Sequence, residues 1–463
     1  VMDFLNNKEH SNELEDNGDI KRGKGVFTMG NETAVQILQQ QKQQVKQPIW
    51  IQNAAQLITL ASDKKGPRTK KEMSELHIIE GGSMWIEDGK IRAFGTMQQM
   101  IPICMPRAHE AIIVDATGKI ITPGLIDPHT HIVHGGSREF EFEMRIQGKG
   151  YMEILQNGGG IHATTKKTRE ISEEQIYNDT ALRLDSFLQH GVTTLESKSG
   201  YGLDLETELK QLRIMNQLND KHPIDIIPTF MGAHVVPEEY EGCGDDYVNT
   251  VIHEMIPEVA RLGLAKFCDV FLEKGVFTPE QAERVLLAGK EHGLIPKVHA
   301  DEIECYGGAQ LAAKVGAISA DHLLKTSDEG LEKLVDSGVI ACLLPATALI
   351  LGEPPARARD MIDLGVPVAI STDCNPGSSP TTSMPLVMNL ACITMRMTPA
   401  ETLCAATYNA ACAIGMEDQI GSLEVGKQAD FVIWNVSNYQ KLHYMFGVNH
   451  VHQVWKNGMK VVG

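Results

Sequence analysis

His129-Thr130-His131 is the clearest pair of metal-ligand candidates in this sequence. Residues two apart in an extended strand point to the same side. Two neutral imidazoles at a strand end can therefore share one ion. On spacing alone, two surface histidines explain the motif equally well. The flanking residues argue for a built site. The stretch from residue 121 to 138 reads Ile-Thr-Pro-Gly-Leu-Ile-Asp-Pro-His-Thr-His-Ile-Val-His-Gly-Gly-Ser-Arg. Pro123 and Gly124 lead into a buried-looking strand, and Asp127-Pro128 holds the backbone extended or turning just before the histidines.

The elements that must position these groups lie between about 123 and 420. Candidate strands fall at 124–127, 192–196, 224–229, 266–271, 295–299, 317–320, 339–344 and 367–371. Helical patterns separate most of them: Glu173–His190, Glu206–Leu218, Pro279–His292, Ala309–Val315, Ser327–Asp336 and Pro354–Asp363. Strands alternating with helices in this number point to an α/β protein with a (β/α)8 TIM-like barrel. An open doubly wound sheet is the runner-up, but no phosphate-binding glycine motif follows an early strand. Gly158-Gly159-Gly160 reads as a loop.

Catalytic groups of such barrels follow strand C-termini, and the unusual polar residues fall there. His129 and His131 follow the first strand, and His234 the third. His299, with Asp301 and Glu302, ends the fifth. His322 follows the sixth, behind Asp321, and Asp373 ends the eighth. His129, His131, His299 and Asp373 suit one divalent or trivalent ion that keeps a position for water. Hydrolysis of a neutral C–N bond also needs a proton shuttle. Glu302 is placed to reach the water, and His322 to orient it or stabilise an oxyanion.

Both ends of the chain read as β. Short apolar or alternating runs at Ile49-Trp50-Ile51, Leu76–Ile79, Ser83–Ile86, Lys90–Phe94, Ala111–Asp115 and Lys119–Ile121 surround a hairpin signal at Glu87-Asp88-Gly89. Ala429–Trp434, Val451–Trp455 and Met459–Val462, with a turn at Asn457-Gly458, repeat the pattern. The expected division is therefore a polar extension over 1–47, a small composite β-sandwich from 48–122 and 421–463, and the barrel over 123–420. The extension carries the tract Gln39-Gln40-Gln41-Lys42-Gln43-Gln44 and reads as disorder or a lone helix. Part of it reads as an upstream extension or a cloning remnant, and no function is assigned to it.

Composition narrows the function classes. A net charge of −18 disfavours a basic nucleic-acid surface and attraction to anionic lipid. The nine cysteines include no CxxC, which excludes a zinc ribbon and argues against a disulfide framework; a reducing cytoplasm is the expectation. The longest apolar run, Val339 to Leu351, is too short for a membrane span and contains Pro345. No signal peptide is evident.

From about Pro48 onward the sequence resembles the amidohydrolase superfamily and, within it, the imidazolonepropionase family of histidine degradation. The resemblance rests on the motifs at 123–131, Gly-Gly-Ser-Arg-Glu at 135–139, Lys-Ser-Gly-Tyr-Gly-Leu at 198–203 and Thr-Phe-Met-Gly-Ala-His at 229–234. It continues with His-Ala-Asp-Glu at 299–302, Ser-Ala-Asp-His-Leu at 319–323, Thr-Asp-Cys-Asn-Pro-Gly-Ser-Ser-Pro at 372–380 and Gly-Val-Asn-His-Val at 447–451. It implies a cytoplasmic homodimer with one zinc or iron ion per subunit, held by His129, His131, His299 and Asp373. It implies hydrolysis of 4-imidazolone-5-propanoate to N-formimino-L-glutamate, with Glu302 as acid/base and His322 beside the reacting water. Arg138 matches the family's carboxylate-binding arginine, against the alternative of a surface salt bridge. Tyr151, Tyr201 and His234 match pocket residues, Glu302 also contacts substrate, and Asn375, Gly377 and Ser378 match a ligand-contacting loop. Some superfamily members bridge two metals through a lysine or glutamate. Lys198 and Glu273 are the candidates for that role, and the motif around Lys198 belongs to the mononuclear family. The alternatives are another cyclic amide or amidine hydrolase, a nucleobase deaminase, and a non-catalytic interaction barrel.

Overall fold

The computed structural model describes residues 47–149, 153 and 159–463. The expectations for the polar extension up to residue 46, for Tyr151 and for Gly158 fall outside the described residues.

Eight parallel strands form one sheet: β6 (Leu125–Asp127), β7 (Val192–Lys198), β8 (Asp225–Ala233), β9 (Phe267–Leu272), β10 (Ile295–Ala300), β11 (Ser319–His322), β12 (Ile340–Leu343) and β13 (Val368–Ile370). Each pairs with its sequence neighbour, from β13 through to β6. These are the eight strands expected from the sequence, with ends displaced by a few residues. Strands covered on both faces need no alternation, and β7, β11, β12 and β13 are buried throughout.

β6 and β13 stand at the two ends of that order and meet through side chains. Asp127 accepts from the Ser371 hydroxyl, from Thr372 N at 3.2 Å and from Thr372 Oγ1 at 2.6 Å. Just beyond it, Asp373 N donates to His129 O at 3.1 Å and His131 N to Cys374 O at 2.9 Å. The seam therefore also fixes three metal-ligand candidates relative to one another. Burial pushes the Asp127 carboxyl up to about 7, opposed by those hydrogen bonds. Asp127→Ala is expected to lower stability by about 3 kcal/mol or more, since it strands several buried donors. The urea midpoint of the variant checks this.

A second sheet draws on both halves of the chain. β1 (Ile49–Ile58), β2 (Ile78–Glu87), β3 (Lys90–Thr96), β4 (Ile112–Asp115) and β5 (Ile120–Pro123) join β14 (Phe431–Trp434), β15 (Val451–Lys456) and β16 (Met459–Val462). The order is β16-β15-β14-β5-β1-β2-β3, with β4 beside β1. β5 pairs antiparallel with β14, from Phe431↔Pro123 to Trp434↔Ile120, and only Gly124 separates it from β6. One face packs Ile49, Ile51, Leu57, Met84, Ile121, Phe431 and Trp455 into a separate core. Asp88-Gly89 and Asn457-Gly458 both have positive φ, as tight hairpin turns require.

Two readings of local structure are corrected. The end of the run at Leu76–Ile79, from Ile78, and the run at Ser83–Ile86 belong to one strand, β2. Gly81-Gly82 looks like a break, but a side chain at Gly82 would run into Leu57 on the neighbouring strand; the glycine lets β1 approach. The helix expected over Pro354–Asp363 is Ala358–Leu364. Pro354-Pro355 cannot continue a helix, so it starts after them.

Candidate active site

The groups after the barrel strands converge at one end. His129, His131, His299 and Asp373 are all 3% exposed or less. Asp373 Oδ1 lies 3.5 Å from His129 Nε2 and 3.7 Å from His131 Nε2. His299 Nε2 lies 3.4 Å from His131 Nε2. His129 Nε2 is buried with no hydrogen-bond partner among the described residues. An uncompensated buried nitrogen aimed at two others and a carboxylate oxygen is costly without a ligand. Three imidazoles and one carboxylate fit a zinc or iron ion, so the residues present suit the metal the sequence implies.

The tautomers follow from what lies behind the rings. His129 Nδ1 is 2.6 Å from Asp321 Oδ2, and His299 Nδ1 is 3.1 Å from Asp269 Oδ2. Asp321 fixes the proton of His129 on Nδ1 and leaves its Nε2 lone pair facing the centre; Asp269 faces His299 Nδ1 without a hydrogen bond between them. Burial, with Lys198 and the neighbouring imidazoles, holds His129 well below its ordinary value. Burial and the rings of His234 and His299 do the same for His131. Both are neutral, as ligation requires. Thr347 Oγ1 donates to Asp373 Oδ2 at 2.6 Å, which leaves Oδ1 toward the histidines. Burial pushes the Asp373 carboxyl up to about 6.

Neither bridging candidate faces this centre. Glu273 accepts from Lys274 N and Glu304 N on one oxygen and from Ile303 N on the other. Lys198 Nζ donates to Glu196 Oε1 at 2.7 Å and lies 2.8 Å from Asp269 Oδ2. Burial opposes its charge, but Asp269, Glu196 and Asp321 outweigh that and hold the ammonium above its ordinary value. Asp301 is likewise structural. It accepts from Tyr306 N, Gly308 N and the Thr326 hydroxyl.

Glu302 sits beside the centre, its Oε1 3.6 Å from His322 Nδ1. Burial, then the Asp373 and Glu273 carboxylates, push it up to about 8. Burial holds His322 well below its ordinary value. His322 has a left-handed backbone, φ 76°, which is strained for a histidine and serves to aim its ring. A carboxyl titrating near neutrality next to a neutral imidazole can both take and return a proton.

Cys374, the residue after Asp373, lines a cavity of about 480 Å³, with Arg138, Arg183, His134, Asn375, Gly377 and Phe142 also on its wall. Arg138 is paired with Glu141 by two hydrogen bonds of 2.7 and 2.6 Å, so it is a buried pair rather than a surface bridge. A side chain at Gly377 would collide with the Arg138 guanidinium; glycine permits the approach. Arg145 Nη1 donates to Gly377 O at 2.7 Å and locks the loop there. Asn375 uses its amide inside that loop, accepting from Gly377 N and Ser378 N and donating to Asp373 O. Ser378 is turned toward Asn375. Tyr201 and His234 flank His131, with ring centroids 5.8 and 5.3 Å away. His234 Nδ1 is 2.9 Å from Gly200 O, and burial with the nearby His299 lowers its pKa to about 3.

The sequence reading missed the carboxylates that do the supporting work. Asp269 lies within a strand, where a lone acid carries no motif, and Asp321, though part of the motif at 319–323, gives no sign there of a partner on another strand. Glu208 accepts from Gly200 N, Gly202 N and Leu203 N; it folds the Lys-Ser-Gly-Tyr-Gly-Leu loop that presents Tyr201. Arg183, also missed, donates to Ile132 O at 2.8 Å. Its only signal was an arginine in an amphipathic helix.

Residues 120–461 match the model of the amidohydrolase family. An imidazolonepropionase of Geobacillus sp. (strain WCH70) is 59% identical over 90% of this chain and 98% of its own. One from Brevibacillus brevis is 60% identical over the same shares. Among solved structures, guanine deaminase of E. coli superposes with a TM-score of 0.67 at 17% identity, over 89% of this chain and 98% of that one. That last likeness is one of fold.

Proposed function

The chain belongs to the amidohydrolase family, in its imidazolonepropionase branch, and from that premise we propose that it hydrolyses 4-imidazolone-5-propanoate to N-formimino-L-glutamate in L-histidine degradation. The observation that supports the reading is the meeting of three features. His129 groups with His131 and Asp373, and again with His299 and His322, closely enough to hold a metal ion; Glu302 stands beside His322; and Arg138 lines a cavity whose wall includes Cys374, the neighbour of Asp373.

His129, His131, His299 and Asp373 would hold the metal ion, which would supply Lewis acidity for the hydrolysis. Glu302 takes the proton of the attacking water and passes it to the ring nitrogen as the C–N bond breaks. His322 orients that water and stabilises the oxyanion. Arg138, its Nε edge held by Glu141, receives the propionate through the hydrogens left on Nη1 and Nη2 and so fixes the ring against the centre. Tyr201, His234, Gly377 and the loop built by Asn375 and Ser378 shape the remaining walls. The finer parts of the reading are one zinc or iron ion per subunit, a homodimer and a cytoplasmic setting. Among the described residues no helix is long and apolar enough to cross a membrane. A nucleobase deaminase has no carboxylate to place beside Arg138, which favours the propionate substrate.

Freshly prepared substrate, followed by its ultraviolet absorbance against a no-enzyme control, tests the reading. Accelerated loss with formiminoglutamate as product is expected. No acceleration by folded, metal-loaded protein overturns it. Arg138→Met is expected to lower kcat/KM by about 10- to 100-fold, mostly through KM, since charge-assisted hydrogen bonds of about 1.5–3 kcal/mol are lost. An unchanged KM would remove Arg138 from carboxylate recognition.

A further inference from the structure

Beneath the metal-ligand cluster lies a set of charged side chains with no exposure: Glu196, Lys198, Asp269, Lys297 and Asp321. The arrangement is a branched relay. Lys198 Nζ is 2.8 Å from Asp269 Oδ2, the same oxygen that faces His299 Nδ1 at 3.1 Å. It is 3.7 Å from Asp321 Oδ2, the same oxygen that faces His129 Nδ1 at 2.6 Å. Its third partner is Glu196 Oε1, at 2.7 Å, which also accepts from the Thr229 hydroxyl. The other oxygen of Glu196 faces Thr130 N at 3.4 Å, and the Glu196 carbonyl accepts from Thr130 Oγ1 at 2.7 Å. Thr130 sits between His129 and His131. Lys198 N donates to Thr130 O at 2.9 Å. Lys297 is more peripheral: its Nζ is 4.0 Å from Asp321 Oδ2 and donates to Pro128 O at 3.2 Å.

We propose that Lys198 is the positioning residue of the metal centre, a single ammonium that pins the carboxylates behind His129 and His299 and, through Glu196, the strand end that carries His131. The inference rests on the metal site in the reading above. Glu196, Asp269 and Asp321 are three carboxylates with no exposure, and Lys198 Nζ stands among them, 2.7 Å from Glu196 Oε1, 2.8 Å from Asp269 Oδ2 and 3.7 Å from Asp321 Oδ2. Without the ammonium their mutual repulsion is uncompensated in a space closed to water, and the carboxylates behind His129 and His299 turn away from the Nδ1 atoms they face. The two rings then lose the partners that aim Nε2 at the centre. Lys198 thus acts on the metal through two imidazoles without touching it. It also explains why a lysine in this position is no bridging ligand: its ammonium is turned to Glu196, Asp269 and Asp321.

The test compares wild type with K198M, which keeps the aliphatic stem, and with K198M/E196Q, which removes one cation and one anion together. Each protein is stripped of metal, checked for folding by circular dichroism, and titrated with zinc against a chromogenic chelator. Each is then loaded with cobalt(II) for its visible spectrum. Zinc affinity is expected to fall about 10- to 100-fold in both variants, as when a partner behind a ligand is lost, with an altered cobalt spectrum. The charge-balanced variant separates positioning from bulk electrostatics. Zinc affinity within threefold of wild type in either folded variant, with an unchanged cobalt spectrum, overturns the proposal. Failure of both variants to fold assigns Lys198 to the fold rather than the metal and overturns it too. Wild type that binds no zinc removes the metal reading itself, an outcome distinct from loss confined to the variants.

Discussion

Glu302→Gln is expected to lower kcat on 4-imidazolone-5-propanoate by about 10²- to 10⁴-fold, the usual worth of a positioned acid/base group, while metal content stays at the wild-type level. The amide keeps the shape but can neither accept the water's proton nor return it to the ring nitrogen. The pH dependence carries the same signature. Glu302 must be ionised to act as base, and burial with Asp373 and Glu273 pushes it up to about 8. A bound cation favours the ionised form. The rising limb of kcat/KM therefore lies at or below pH 8 or so, and it vanishes in the variant. Stability runs the other way. A folded value above the ordinary 4.5 means that the fold favours the neutral carboxyl. That contribution is whole below the unfolded value and is lost as pH rises through the folded one. Metal-free E302Q is accordingly expected to melt above metal-free wild type at pH 9, with the gap closing toward pH 5. Turnover within threefold of wild type would remove Glu302 from the chemistry.

Stripping the ion with a chelator is expected to abolish turnover and to lower the melting temperature, and added zinc to restore both. His131→Ala should lose the ion and the activity together. Free ion at about a thousandfold above its Kd contributes roughly 4 kcal/mol of stability. The metal-free centre also gathers three imidazoles and a carboxylate out of water with too few partners. Elemental analysis, activity and thermal scans on one preparation check all three effects. Full turnover by the chelated, folded protein would exclude the metal from the reaction.

How much of this was legible in the sequence depends on what each residue does. The barrel was, because strands buried on both faces are short apolar runs and their helices show a clear period. The ligand candidates were, because histidines and an aspartate after strand ends have no role in a core. The Arg138 region was only half legible. Its partner Glu141 sits three residues on and looks like any helix-surface pair, whereas burial makes it a fixed element of the cavity wall. The carboxylates behind the histidines were invisible. Asp269 and Asp321 act through distance to rings brought in from other strands, and no local pattern encodes that. The amide of Asn375 shows the reverse case: the motif marks a loop on the cavity wall, but the side chain's hydrogen bonds go to the loop itself.

The pairing of β5 with β14 has a bearing on how the protein is made. β5 leads straight into the first barrel strand, yet the neighbour that completes its sheet lies some three hundred residues further on. During synthesis the chain emerges at about 5–20 residues per second, so the edge of β5 waits for β14 until nearly the whole polypeptide is out. A strand edge left open for that long is a template for pairing with other chains. Ribosomes stalled before Phe431 should therefore yield products that aggregate through the N-terminal sheet even where the barrel has closed, and chaperone demand should concentrate in the last seconds of translation.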